Sequence, residues 1–156
     1  MAATKTQGTQ LYYASAATTV TTVGSIISMT GLDSGNVDQI DTTLLTATSR
    51  SFVAGLANPG AVTLEVLFDP LDTTLTGLWA LKDSGASKSW CIGLSESTTA
   101  PTAAASVIVQ PASTSRSSVK FDGFISGLVI DFPGNDVVKG TITLQTSGVH
   151  TWVFKT

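Results

Sequence analysis

The side chains in this chain that could do chemistry are few and stand apart. His150 is the sole histidine and Cys91 the sole cysteine. A zinc site needs several such ligands, and these two supply no set. A Ser–His–Asp relay could in principle use His150. No Gly-x-Ser-x-Gly elbow accompanies it, and His150 lies in a strand-like run near the chain end. A structural or solvent-facing histidine is the expectation. Cys91 sits inside the apolar run Trp90–Leu94 and reads as a small buried hydrophobe, with no partner for an intrachain disulfide. Glu65 and Glu96 occupy unlike contexts, and nothing points to a carboxylate pair poised for glycoside hydrolysis. Asp33, Asp38 and Asp41 are spaced loosely like calcium ligands, but they lack the loop order and terminal glutamate of a calcium-binding loop. No glycine-rich phosphate loop precedes a helix. The expectation is a protein without catalytic residues, metal or cofactor.

Composition points the same way. The chain has 156 residues, room for one domain with a sizeable core. Charged residues make up 12%, about half the usual share. Ser, Thr, Ala and Gly fill the gap, giving a neutral, hydroxyl-rich surface suited to β structure and to wide contact with other proteins. The net charge is −3 and no basic run occurs, which argues against gripping nucleic acid through its phosphates. The first residues contain no apolar signal-like stretch, and no run reaches membrane-spanning length, so no membrane insertion is expected.

The elements that must position these residues are mostly strands. Val62–Asp69 alternates most clearly, with Val62, Leu64, Val66 and Phe68 on one face and Thr63, Glu65, Leu67 and Asp69 on the other. The Asn58-Pro59-Gly60 turn marks its start. Gln10–Ser15 reads as a short edge strand, or its Tyr12 and Tyr13 as an interface anchor. Thr18–Val23 and Gly24–Thr30 follow, the latter with Ile26 and Ser28 opposed to Ile27 and Met29. Thr73–Lys82 is the one helix signal. Asp69 is its expected cap and Pro70 its first residue, and Leu71, Leu75, Leu78 and Trp79 form the stripe that covers the sheet. Lys88–Ser95 and Val107–Gln110 are strands. Glu96–Ser106 and Ala112–Ser118, with Arg116, are polar loops. Ser118–Phe132 reads as a central strand, apolar on both faces, with a bulge at Gly123 or Gly127. Val137–Thr146 places Val138, Ile142 and Leu144 inward and Thr141, Thr143 and Gln145 outward. Ser147-Gly148 turns the chain into Val149–Lys155. Eight or nine strands with one helix make a mostly β fold, a β-sandwich or flattened barrel with a flanking α-helix.

One ordered set of segments is more specific. The acidic Val37-Asp38-Gln39-Ile40-Asp41-Thr42-Thr43 precedes Ser49-Arg50-Ser51-Phe52 and Ala54-Gly55-Leu56. A glycine-led strand then ends in Phe68-Asp69-Pro70. This order resembles the major tail tube proteins of long, non-contractile-tailed (siphovirus-type) bacteriophages, over roughly Gly24 to Thr146. Asn58-Pro59 departs from the family pattern, which often carries Asp and an aromatic residue there.

The resemblance implies one tail-tube domain over 1–156 that forms stacked hexameric rings, a conduit for double-stranded DNA. Residues 1–9 become a flexible arm and 33–57 a long assembly loop toward the neighbouring ring. Asp38, Asp41, Arg50 and Phe52 are its candidate contact residues. The polar sheet face, Thr63, Glu65, Thr141, Thr143 and Gln145, becomes the candidate bore lining, repelling phosphates so that DNA slides without sticking. Implied partners are further copies of the chain, the tape-measure, tail-tip and tail-terminator proteins, and DNA that passes without specific binding. The implied place is the virion tail, after synthesis in the host cytoplasm. Two alternatives stay open. One is a carbohydrate-binding or adhesive β-sandwich, which requires Trp79, Trp90 or Trp152 exposed on one platform. The other is the tube protein of a contractile injection system, which shares the fold.

Overall fold

The computed structural model describes residues 3–33 and 35–156. Eleven strands and one helix occur among the described residues. They are β1 (Gln10–Ala14), β2 (Val20–Val23), β3 (Ile26–Thr30), β4 (Asn36–Asp41), β5 (Phe52–Asn58) and β6 (Ala61–Leu67). Then come α1 (Thr73–Ser84), β7 (Lys88–Gly93), β8 (Thr102–Ala104), β9 (Val107–Val109), β10 (Ser118–Asp131) and β11 (Lys139–Val153). Seven strands form one antiparallel sheet in the order β2-β1-β7-β10-β11-β6-β3. β4–β5 and β8–β9 are separate hairpins.

The connection between the two sheet edges dictates the shape. β2 and β3 lie at opposite edges, yet only Gly24 and Ser25 separate them. Consecutive Cα atoms are 3.8 Å apart, so Val23 and Ile26 stand within about 11 Å. Seven strands laid flat at about 4.8 Å spacing would put the edges about 29 Å apart. The sheet therefore curls until one end of β2 lies beside one end of β3, giving the sandwich-like flattened barrel expected, while the two edges stay unpaired among the described residues. Inside lies one core drawn from both ends of the sheet, including Leu11, Val23, Leu64, Trp90, Phe121 and Leu144. β6 and β11 keep the expected alternation. Val62, Leu64, Val66, Ile142 and Leu144 are buried, and their neighbours are only half-buried.

The helix starts later than its sequence suggests. Asp72 is the N-cap, its carboxylate accepting the Thr74 backbone N–H at 2.8 Å. Asp69 instead accepts the Leu71 N–H at 2.9 Å in a local turn. Leu71 therefore precedes the helix and is 89% exposed, so it takes no part in the expected helix-to-sheet stripe. Leu75 and Leu78 are buried beneath α1, which packs on β10 and β2. Trp79 is 43% exposed and walls a shallow apolar groove with Phe68 and Leu75. Gly85 closes the helix in the left-handed region at φ 63°, a conformation that favours glycine.

Several local expectations are corrected by long-range packing. β1 is interior rather than an edge, because β2 folds back on one side while β7 pairs on the other. Tyr12 and Tyr13 are consequently buried and cannot anchor an interface. In β3 a bulge between Ile26 and Ser28 resets the alternation. Ile26 and Met29 therefore both pack on the core, and Ile27 is exposed. Ser147-Gly148 does not end a strand. β11 runs through it, and the slack at 148–150 is absorbed as a bulge opposite Phe121, with Gly148 at φ 72°. β10 is irregular between Ile125 and Gly127 as expected, but its second half is not covered on both faces, since Val129 is exposed. Thr102–Ala104, read as loop, pairs with β9.

Candidate functional site

The polar face of β6 and β11 is assembled by register. Thr143 lies opposite Thr63, Thr141 opposite Glu65, and Gln145 opposite Ala61. Because core residues alternate with these positions, all five expected lining residues share the outer face of the same strand pair. Ser28 of β3 extends that face by donating its hydroxyl to Glu65 at 3.2 Å. Gln145 is committed elsewhere. Its amide donates to the carbonyls of Pro59 at 3.2 Å and Gly60 at 3.4 Å, bracing the turn into β6.

A cation was missed on this face. Lys139 has the same parity as Thr141, and its ammonium pairs with Asp136 at 3.0 Å. Hydrogen bonding to Asp136 holds the Lys139 ammonium above its ordinary range, and Glu65 adds to this. The Val137 N–H and then Lys139 hold the Asp136 carboxyl below its ordinary range. The face with its rim thus carries two carboxylates and one neutralised ammonium, a weakly negative balance. The alternating pattern marks Lys139 as outward-facing, but its partner lies in the turn before the strand.

The connection over 33–57 holds β4 and β5, paired with each other alone; residue 34 lies outside the described residues. Every residue of β4 is exposed. The exposed apolar residues of this hairpin include Ile40, Phe52, Val53 and Leu56, with Leu44 and Leu45 at its tip. An isolated two-stranded hairpin is marginal in water. This one exposes apolar side chains on both faces. Asp38, Asp41, Arg50 and Phe52 all belong to it and are exposed. Asp41 turns back on its own chain, accepting the Thr43 N–H at 2.9 Å, and hydrogen bonding from Thr43 holds its carboxyl below the ordinary range.

Residues 3–9, the described part of the expected arm, lie along the molecule; residues 1 and 2 are outside the described set. Thr4 donates to Glu96 at 3.4 Å, and the Lys5 carbonyl accepts from the Ser95 hydroxyl. The Gly8 carbonyl accepts from Arg116 at 3.3 Å. Arg116, read as part of a polar loop, has no exposed surface at all.

The groups examined for catalysis do not converge. Cys91 is fully buried, and burial pushes its thiol up to about 11. His150 lies against Phe121 with ring centres 5.5 Å apart, and its covered Nε2 has no hydrogen-bond partner. Burial pulls its pKa below the ordinary value. No group of three or more metal-ligating side chains occurs among the described residues. Trp90 is buried with its indole N–H on the Gly123 carbonyl at 3.0 Å, Trp79 sits on the helix, and Trp152 stacks on Phe154. With Trp90 in the core, the three tryptophans form no common sugar-binding platform. Among the described residues no helix is long and apolar enough to cross a membrane.

Known proteins bear on this geometry directly. The family model described as phage tail tube, lambda-like, matches residues 2–156. "Structural protein 3" of Pseudomonas phage PAJU2 is 39% identical over 150 residues, covering 92% of this chain and 90% of that one. The SPP1 tail tube superposes with a TM-score of 0.70 at 12% identity, over 97% of this chain and 80% of that chain. The tail of an empty GTA particle, refined with helical C6 symmetry, gives 0.63 at 12% identity over 96% and 98%. The sheath/tube terminator of an extracellular contractile injection system gives 0.68 at 15% identity over 97% of both chains. A non-contractile tail tube and a contractile-system tube terminator thus share this fold.

Proposed function

Since the chain belongs to the lambda-like phage tail tube family and is a structural protein of the tail, we propose that its copies close into six-membered rings which stack around a DNA conduit lined by the polar face of β6 and β11. The observation that carries this reading is the β4–β5 hairpin. Among the described residues it pairs with no other strand, and it exposes apolar residues on a two-stranded sheet. A neighbouring copy that covers it removes that apolar surface from water, at about 25 cal/mol per Å². The open edges of β2 and β3 are closed by the same assembly. Closed rotational symmetry then sets the copy number.

Thr63, Glu65, Thr141 and Thr143 face the passing DNA in this arrangement. Hydroxyls with a weakly negative balance offer phosphates no counter-charge, so the duplex moves without being held. Asp38, Asp41, Arg50 and Phe52 meet the adjacent ring. The chain works without catalysis or cofactor, is made in the host cytoplasm, and joins tape-measure, tail-tip and terminator proteins in the virion. Negative-stain electron microscopy of the purified protein over a concentration series tests assembly. Rings or hollow tubes of uniform width are expected. A chain that stays monomeric throughout, even when tail tips are supplied as initiators, overturns the reading. Glu65→Lys tests the lining. Assembled tails carrying it are expected to eject DNA more slowly, and unchanged ejection refutes the electrostatic role.

A further inference from the structure

We propose that Arg116 is a latch that holds both ends of the chain at one pole of the molecule, so that residues 4–9 and residues 155–156 are retained or released together.

The guanidinium has no exposed surface and no ion-pair partner among the described residues. Its charge is met by oxygens alone. Nε donates to the Leu94 carbonyl, and Nη2 donates to the carbonyls of Gly93 at 2.7 Å and Gly8 at 3.3 Å. Nη1 donates to Tyr12 Oη at 3.0 Å, Gln10 Oε1 at 3.2 Å and the Thr99 carbonyl at 3.3 Å. All three nitrogens, and so the whole five-hydrogen fork, are engaged. Half of these acceptors belong to residues 8–12 and half to residues 93–99. The Cα of Gly93 lies so close to the guanidinium that a Cβ there would stand 2.5 Å from Arg116 Cζ.

The next residue continues the chain of contacts to the other end. Ser117 donates its backbone N–H to Glu96 Oε2 at 2.9 Å, and Glu96 Oε1 accepts from Thr4. The Ser117 hydroxyl accepts the Lys155 N–H at 2.9 Å, and the Ser113 carbonyl accepts the Thr156 N–H at 3.1 Å. The 113–117 turn therefore grips the N-terminal segment on one side and the C-terminal residues on the other.

Coupling follows from the cost of an unsatisfied buried charge. Breaking a buried charged group's contacts by removing one partner is far more costly than losing a surface hydrogen bond. Drawing residues 4–9 away removes the Gly8 carbonyl from Arg116. One Nη2 hydrogen is then left to water while the Gly93 carbonyl keeps the other, and the guanidinium turns toward the opened side with the turn that carries Ser117. The same logic runs from the C-terminal side. A neighbour in the tube that pulls one end from its seat thus frees the other. That consequence rests on the tube reading, whereas the latch is a property of the single chain.

Amide hydrogen exchange on the unassembled full-length chain tests it, with limited trypsin cleavage after Lys5 alongside. Gly8→Val displaces the Gly8 carbonyl, because its φ of 93° is strained for a side-chain-bearing residue, and it does so at an exposed site outside the sheet. The expected result is faster cleavage after Lys5 together with about tenfold faster exchange at Lys155 and Thr156, the loss of roughly one neutral hydrogen bond at each. Amides of β6 stay protected. Arg116→Lys, which keeps the charge and loses the fork, is expected to release both ends together. Release of the N-terminal segment with unchanged exchange at Lys155 and Thr156 overturns the latch. Unchanged behaviour at both ends in Gly8→Val overturns it equally, and neither outcome touches the tube reading.

Discussion

Gly93→Ala puts the packing around Arg116 to its sharpest test. A methyl group at this position would lie 2.5 Å from Arg116 Cζ, 2.6 Å from Nε and 2.8 Å from Nη1. Ordinary carbon contacts are about 3.5–4.0 Å, so the guanidinium must retreat by about 1 Å. A surface arginine would swing aside at little cost. This one is enclosed, and its bonds to the Gly93 and Leu94 carbonyls lie on the side of the clash. Overpacking costs about 1–3 kcal/mol, and a weakened hydrogen bond to a buried charge costs about 1.5–3 kcal/mol. Together they give about 2.5–6 kcal/mol, a large part of the roughly 5–15 kcal/mol that keeps a domain folded. For a chain of this size the melting temperature falls by about 10 °C. Urea denaturation of the unassembled protein, followed by tryptophan fluorescence, measures the change. Gly134→Ala is the control, since nothing lies within 4 Å of a Cβ there. It is expected to stay within about 0.5 kcal/mol of the parent. A Gly93→Ala loss below about 1 kcal/mol would show that the guanidinium relaxes freely and would refute the reasoning.

The remaining predictions follow from single contacts. Leu78→Ala removes a buried side chain beneath α1 and is expected to cost about 2–5 kcal/mol, while the exposed Leu71→Ala leaves the urea midpoint nearly unchanged. Ile40→Asp with Leu56→Asp leaves the melting temperature within a few degrees but abolishes rings in electron micrographs, because both residues lie on the exposed hairpin. The Ser117 N–H holds the Glu96 carboxyl below its ordinary 4.5. Its contribution is therefore complete above that value and is lost as the pH falls through the lower folded value, so Glu96→Gln should flatten the acid side of the stability curve in urea titrations. Burial pushes the Cys91 thiol up to about 11, so a disulfide reagent at pH 8 should label it only as fast as the chain unfolds.

The polar face proposed to line the bore was legible as a shared face wherever it depended on alternation alone. β6 and β11 each carry apolar and polar residues in strict turn, and the pleat sends them to opposite faces whatever surrounds them. Thr63, Glu65, Thr141 and Thr143 could thus be placed on one face before any pairing was known. Their register to one another, and the presence of Lys139 with Asp136 beside them, needed the pairing of β6 with β11. The hairpin over 36–58 was harder to see. Neither of its faces is covered by its own chain, so it lacks the alternation that burial imposes.

Local chemistry determined the element types. Side-chain periodicity, the turn at Asn58-Pro59-Gly60 and the helix stop at Gly85 act within a few residues of themselves. The weakly charged, hydroxyl-rich composition likewise pointed to β structure and wide protein contact without reference to shape. Tertiary structure alone decided which strands lie at edges, which bulges reset a face, and which polar side chain is buried. Tyr12 is interior because β7, some 80 residues on, pairs beside it. Arg116 looks like any loop arginine in sequence. Its burial is set by oxygens from Gly8, Gln10, Tyr12, Gly93, Leu94 and Thr99, most of which are brought together by the pairing of β1 with β7.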